Sequence, residues 1–255
     1  MVAEMKIMPR DVQIMRWIHE QKFMTEGQIR RVFWKGISEN SREGYKRLSE
    51  LERAGYLKRS KKDLYRYGLY LVAAKGIRQL RAFVYDQGLG ELNDIEHSLY
   101  KHDTSVTDLR ILFYGWGYTD WVCERVLYKR NDLRHLPDAM VYHHGNYFAM
   151  EYESSQKSKR RYNDIFLEYQ MERQIYAVIY VVEIKEMAER LCRTASSYKK
   201  IFFTTFQELE EQKLETELKR TKGSCFLKEI LEGQMEALDQ RQRNEVSESS
   251  YSRKG

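Results

Sequence analysis

The run Ile175–Val182, IYAVIYVV, most narrows what this chain can fold into. A short, unbroken apolar stretch suits a β-strand covered on both faces, because a half-exposed strand would alternate apolar with polar residues. Helical patterns flank it, QKSKRRYNDIFLEYQMER before and IKEMAERLCRTASS after, and KKIFFTTF then reads as a further strand. Strands alternating with helices predict a mixed α/β domain around one central sheet. Upstream, EHSLYKHDTSVTDLRILFY predicts a helix, WVCERVLYKR a strand, and DAMVYHH with NYFAMEYES a hairpin turning at Gly145-Asn146.

The N-terminal third follows another pattern. In RDVQIMRWIHEQKF, Asp11 is placed to cap a helix whose Val12, Met15 and Ile18 recur at helical spacing. TEGQIRRVF opens with Thr25 and Gln28 at the spacing of a capping box. A third helix fits SREGYKRLSELERAG, ending at Gly55, a residue suited to the left-handed position after a helix. YLKRS and LYRYGLYLV read as strands joined by the polar KKD, and AAKGIRQLRAFVYD as one more helix. Three helices followed by a hairpin is the order of a winged helix. QGLGELND reads as a linker with the boundary near Gly88 or Gly90. The expected division is therefore a winged-helix domain over 8–86, a linker over 87–94, an α/β domain over 95–238 and a disordered polar tail over 239–255.

Charge singles out the first of these parts. Residues 1–84 hold 19 Lys and Arg against 9 Asp and Glu, whereas the remainder holds 25 against 29. A local basic excess points to a phosphate-bearing partner, since each Lys or Arg beside a backbone phosphate releases condensed counterions. On the third helix Tyr45, Leu48 and Leu51 are expected on the core side, opposite a stripe of Arg42, Lys46, Ser49 and Arg53 with Arg47 beside it. Arg and Lys on such a face suit phosphates and guanine edges alike. Lys58, Arg59, Lys61, Lys62 and Arg66 would extend the surface as a wing. The competing reading is a solvated Lys-rich face, and winged helices also serve as protein-interaction modules.

The second domain carries an acidic hairpin. In YFAMEYES, Ala149, Glu151 and Glu153 fall on one face of a strand, and Asp138 begins the strand before it. Three converging carboxylates repel one another unless protons or a cation intervene, and Mg²⁺ prefers oxygen ligands. The alternative is an outward strand face bearing solvated glutamates.

Pro137-Asp138, then twelve residues, then Glu151-Tyr152-Glu153 before a basic helix resembles the active-site hairpin of the PD-(D/E)XK nuclease superfamily. The resemblance implies that Asp138 and Glu151 hold Mg²⁺ or Mn²⁺, with Glu124 as a supporting acid. The motif's Lys position is Glu153 here, and the resemblance leaves two ways to orient the attacking water: Glu153 itself, as in members with an E-x-E form, or Lys157 on the following helix, as in members whose Lys has migrated there. With YRYGLYLVAAKGIRQL, HSLYKHDTSVTDLR and LPDAMV, the chain from residue 10 to about 205 resembles the replication-relaxation family of plasmids and mobile elements. That implies a DNA-binding protein of replication or relaxation, and a divalent-metal endonuclease or nickase. The alternative is a non-catalytic regulator or accessory factor whose nuclease-like domain dimerises. Double-stranded DNA is the expected partner, with a homodimer and other replication or mobilisation proteins as further candidates.

Other chemistries find less support. Cys123, Cys192 and Cys225 lack metal or disulfide spacing and are expected to be small buried residues. No Gly-rich phosphate loop supports ATP-driven activity, and no His-x-His supports a tyrosine-linked nickase. His143 and His144 are expected on opposite faces of a strand, and His97, His102 and Asp108 in surface or capping roles. Neither a membrane-spanning run nor a signal-like start is read, predicting a cytoplasmic protein.

Overall fold

A computed structural model describes residues 5–36, 42–61, 68–83, 85, 87–130, 132–221 and 223–235. The expected tail, 239–255, and the wing residues Lys62 and Arg66 lie outside the described residues. The protein is mixed α/β and divides into two compact units, residues 1–111 with 125–130 and residues 112–124 with 131–255.

The first unit opens with α1 (Pro9–Glu20). Asp11 does not cap it from outside: Pro9 holds the first helical position, where its missing N–H costs nothing, and Asp11 sits two residues later. From there its carboxylate accepts the Met8 N–H at 2.7 Å. After β1 (Met24–Thr25), the capping box of α2 (Glu26–Phe33) forms as read, with Gln28 N–H donating to Thr25 Oγ1 at 3.1 Å and Thr25 N–H to Gln28 Oε1 at 3.0 Å. Helix α3 (Glu43–Arg53) ends at Gly55, whose φ of +79° lets Tyr56 N–H reach the Leu51 carbonyl.

Strands β2 (Leu57–Arg59) and β3 (Leu69–Val72) form the hairpin, and β1 pairs with β3, giving the order β1-β3-β2. Helix α4 (Ala74–Ala82) follows. Ile14, Met15, Ile18, Ile29, Leu48 and Leu51 form the core, while Tyr45 is exposed, with Arg30 stacked on its ring.

The segment read as a linker is packed. Leu89 is buried, Ser60 donates to Asp94 at 2.5 Å and Lys58 pairs with Glu91. Its glycines and polar residues mark a turn-rich stretch, which composition alone does not separate from a flexible one. Helix α5 (Tyr100–Gly115) crosses the unit boundary, so residues 95–111 belong with the first unit. Lys22 pairs with Asp103, Gln28 donates to Asp108, and buried Arg110 donates to Glu20 at 2.5 Å while lying over Trp17.

Strand β4 (Trp121–Cys123) is shorter than expected, since Glu124 begins α6 (Glu124–Leu127). In the second unit β5 (Ala139–His143) and β6 (Asn146–Glu153) make the hairpin. Its turn lies one residue earlier than expected, at His144-Gly145, where both residues have positive φ as a primed turn requires. Then come α7 (Lys159–Met171), β7 (Ile175–Val182), α8 (Lys185–Thr194), β8 (Ile201–Thr205), α9 (Phe206–Gln212), β9 (Glu217–Lys219), β10 (Ser224–Phe226) and α10 (Leu227–Leu231).

The sheet runs β10-β9-β8-β7-β6-β5-β4, parallel across β6, β7 and β8 and antiparallel outside them. The apolar run is β7, the middle strand, buried except at Tyr176. Cys123 and Cys225 are buried and Cys192 partly so. Among the described residues no helix is long and apolar enough to cross a membrane.

Candidate functional site

Pairing of Ala139 with Met150 places Asp138, just before β5, beside Glu151 on β6. Asp138 Oδ2 accepts the Tyr152 N–H at 2.8 Å, which pins the carboxylate to the sheet. Burial, and after it the neighbouring Asp138, pushes the Glu151 carboxyl above the usual carboxylate range. Two donors act against that cost. Tyr169 of α7, fully buried, donates its hydroxyl to Glu151 Oε1, and His135 Nε2 lies 3.3 Å from the same oxygen. The other His135 nitrogen, Nδ1, lies 3.3 Å from Glu168 Oε2. Burial alone would lower the His135 pKa, but the Glu151 and Glu168 carboxylates outweigh it and raise it.

Two residues along β6, the Glu153 side chain is 6% exposed and ion-paired with Lys157 Nζ. The Lys157 N–H donates to the Tyr162 hydroxyl at 3.1 Å, and burial pushes that phenol up to about 12. Tyr180, opposite Glu151 on β7, is also buried. Burial and then the charges of Glu151, Glu153 and Asp138 drive its pKa well above the usual value. The Glu124 N–H donates to the Asp138 carbonyl at 2.9 Å, so the expected supporting acid neighbours Asp138, but from the start of α6 rather than from a strand.

The cluster therefore offers two carboxylates side by side, with a carboxylate–ammonium pair further along the strand. Among the described residues no group of three or more His, Cys, Asp or Glu converges as a metal cage. Mg²⁺ does not require one, since it keeps several waters and is held through one or two carboxylates. The donor set Asp138 and Glu151 fits that minimum.

In the first unit the α3 stripe faces outward. Arg42, Lys46 and Arg53 are exposed and Ser49 is half-buried. Arg47 is occupied elsewhere: its guanidinium bonds both oxygens of Asp11, which is 1% exposed, and also Glu50 and the Lys6 carbonyl. These bonds, Asp11's first, raise its pKa. Lys58 is paired with Glu91, and Arg59 with Glu52 while lying over the Tyr70 ring; Lys61 is exposed.

The remaining histidines and Asp108 take other places. Asp108 braces α5 against Gln28 and Arg31, His97 is exposed and His102 half-buried. His144 lies in the turn rather than on a strand, so its ring comes to 4.0 Å from that of His143 instead of facing away.

Sequence reasoning missed His135, Glu168, Tyr169 and Tyr180. His135 stands in a loop without periodicity, where nothing local marks it. Tyr162, Phe166 and Tyr169 recur at helical spacing, a signal that α7 turns this face toward the sheet. No family model, curated protein or solved structure matches this chain.

Proposed function

We propose that this chain is a DNA-binding protein of plasmid or mobile-element replication or relaxation whose second unit hydrolyses phosphodiester bonds with Mg²⁺ or Mn²⁺. The pairing of Asp138 with Glu151, next to the Glu153–Lys157 ion pair, carries the reading. Asp138 and Glu151 would hold the ion, with Oε2 of Glu151 as the oxygen its neighbours leave open. A divalent ion bound there supplies a water of lowered pKa and offsets phosphate charge. Lys157, held in place by Glu153, presents an ammonium to the attacking water or to a phosphate oxygen. Lys159, Arg160 and Arg161, exposed in the first turn of α7, suit the flanking phosphates.

The first unit would locate the DNA. Its order, α1, β1, α2, α3, β2 and β3, is that expected of a winged helix, and Arg42, Lys46 and Arg53 on the outward face of α3 suit phosphates and groove edges. Incubating plasmid with the protein and Mg²⁺ or Mn²⁺ tests the proposal. Nicked or linear product is expected from wild type and none from Asp138→Ala; equal cleavage by both excludes this site.

One observation favours a second reading. Glu153 stands where the motif carries Lys, and Lys157 is already neutralised by it. On that reading the chain is a non-catalytic regulator or replication accessory factor whose second unit dimerises. Tight DNA binding with no calorimetric uptake of Mg²⁺ or Mn²⁺ selects it.

A further inference from the structure

We infer that His135 is a positioning residue for the divalent-ion site, fixing the Glu151 carboxylate so that Oε2 is the oxygen presented to the ion. The inference rests on the reading of Asp138 and Glu151 as the residues that hold it. His135 lies in the loop before β5, three residues ahead of Asp138. Each ring nitrogen meets a different carboxylate, Nε2 at 3.3 Å from Glu151 Oε1 and Nδ1 at 3.3 Å from Glu168 Oε2. The ring also stands edge-on to Tyr169, with centroids 4.9 Å apart and planes at 71°. Tyr169 then donates its hydroxyl to the same Glu151 Oε1.

The terminal torsion of a glutamate is soft, so an unrestrained carboxylate offers either oxygen. Here two donors from different elements, the loop and α7, converge on Oε1. Among the described residues no hydrogen bond reaches Oε2. Glu168 holds the far side of the imidazole and sets the ring's orientation. Adjacent residues of α7, Glu168 and Tyr169, therefore act on Glu151 by two routes, one through His135 and one directly. Such outer partners orient a metal-binding carboxylate before the ion arrives, and losing one typically weakens binding.

Titration calorimetry of Mn²⁺ into the intact protein tests this. His135→Ala is expected to weaken Mn²⁺ binding about 10- to 100-fold, with the circular dichroism spectrum unchanged. His135→Gln restores a donor near the position of Nε2 and is expected to recover most of the affinity. His135→Asn, whose amide extends only as far as Nδ1, is expected to bind as weakly as the alanine variant. A general packing defect would not separate Gln from Asn. Wild-type affinity in His135→Ala, or equal affinity in the Gln and Asn variants, overturns the positioning role while leaving the carboxylate pair as the ion's holder. A wild-type protein that takes up no Mn²⁺ overturns both.

Discussion

Lys157 Nζ is ion-paired with the carboxylate of Glu153, four residues earlier, where the chain leaves β6 for α7. The glutamate is almost fully buried and the lysine about one-third exposed, so the carboxylate depends on the pair more than the ammonium does. The ammonium is thereby carried back to the strand position at which a lysine was expected.

If the second unit cleaves DNA as proposed, Lys157→Met is therefore expected to lower Mg²⁺-dependent plasmid cleavage on the order of 100-fold, the scale of losing one charge-stabilising donor. Stability should fall as well, by about 2–3 kcal/mol, since Glu153 is left buried without its cation. Cleavage rates and urea unfolding measure the two effects separately, and cleavage within twofold of wild type rules out a role for Lys157.

Adjacent residues Lys46 and Arg47 should respond in opposite ways. Lys46→Ala is expected to weaken DNA binding and reduce the slope of log affinity against log salt by about one, with stability unchanged. Arg47→Ala leaves Asp11 buried without its cation and is expected to cost about 2–3 kcal/mol in urea unfolding. Fluorescence anisotropy on labelled duplex, run over a salt series, reads the first. Equal loss of affinity and equal stability in the two variants would contradict the assignment.

His19 predicts a pH dependence. It is buried in the first unit, and burial, followed by the charge of Arg125, lowers its pKa from 6.5 to about 4. Because the unfolded chain binds the proton more readily, this residue's contribution is favourable above about 6.5 and is lost as pH falls toward 4. Wild type should lose about 2 kcal/mol more than His19→Gln between pH 7 and pH 4.5. Parallel urea curves at the two pH values check it; identical losses in both proteins would show that His19 does not carry the effect.

Gly76 predicts a packing constraint. A Cβ there would stand 2.3 Å from the Tyr56 carbonyl oxygen and 2.7 Å from Val72 Cγ1, so α4 approaches the hairpin as closely as it does only because that atom is missing. Gly76→Ala should destabilise the first unit by about 3 kcal/mol despite alanine's better helix propensity. A thermal transition at or above the wild-type temperature would show that the contact relaxes freely.

Much of the architecture was legible. The capping box of α2, Gly55 after α3, the hairpin of β5 and β6 and the apolar run of β7 all rest on signals a few residues long. Misreadings arose where one local signal served two structures. Asp11 is favourable both as a cap and two residues inside the helix, and a Gly-bearing polar segment suits a packed turn as well as a linker. Val126 and Leu127 continued the strand pattern of Trp121–Cys123, yet Glu124 opens a helical turn there.

The sequence by itself determined the main helices and strands up to β8, their order and the strand that anchors the sheet, because periodicity and capping act between neighbouring residues; the short strand β1, the turn of α6 and the elements after β8 were not legible in it. Tertiary structure alone decided which charges remain available. Arg47 is held by an aspartate 36 residues away while Lys46 beside it faces outward, and Glu151 is held by a loop histidine and a helix tyrosine that no spacing announces. A charged side chain's role depends on which distant segment packs against it and how much water that packing removes, and neither is encoded within a few residues of its own position.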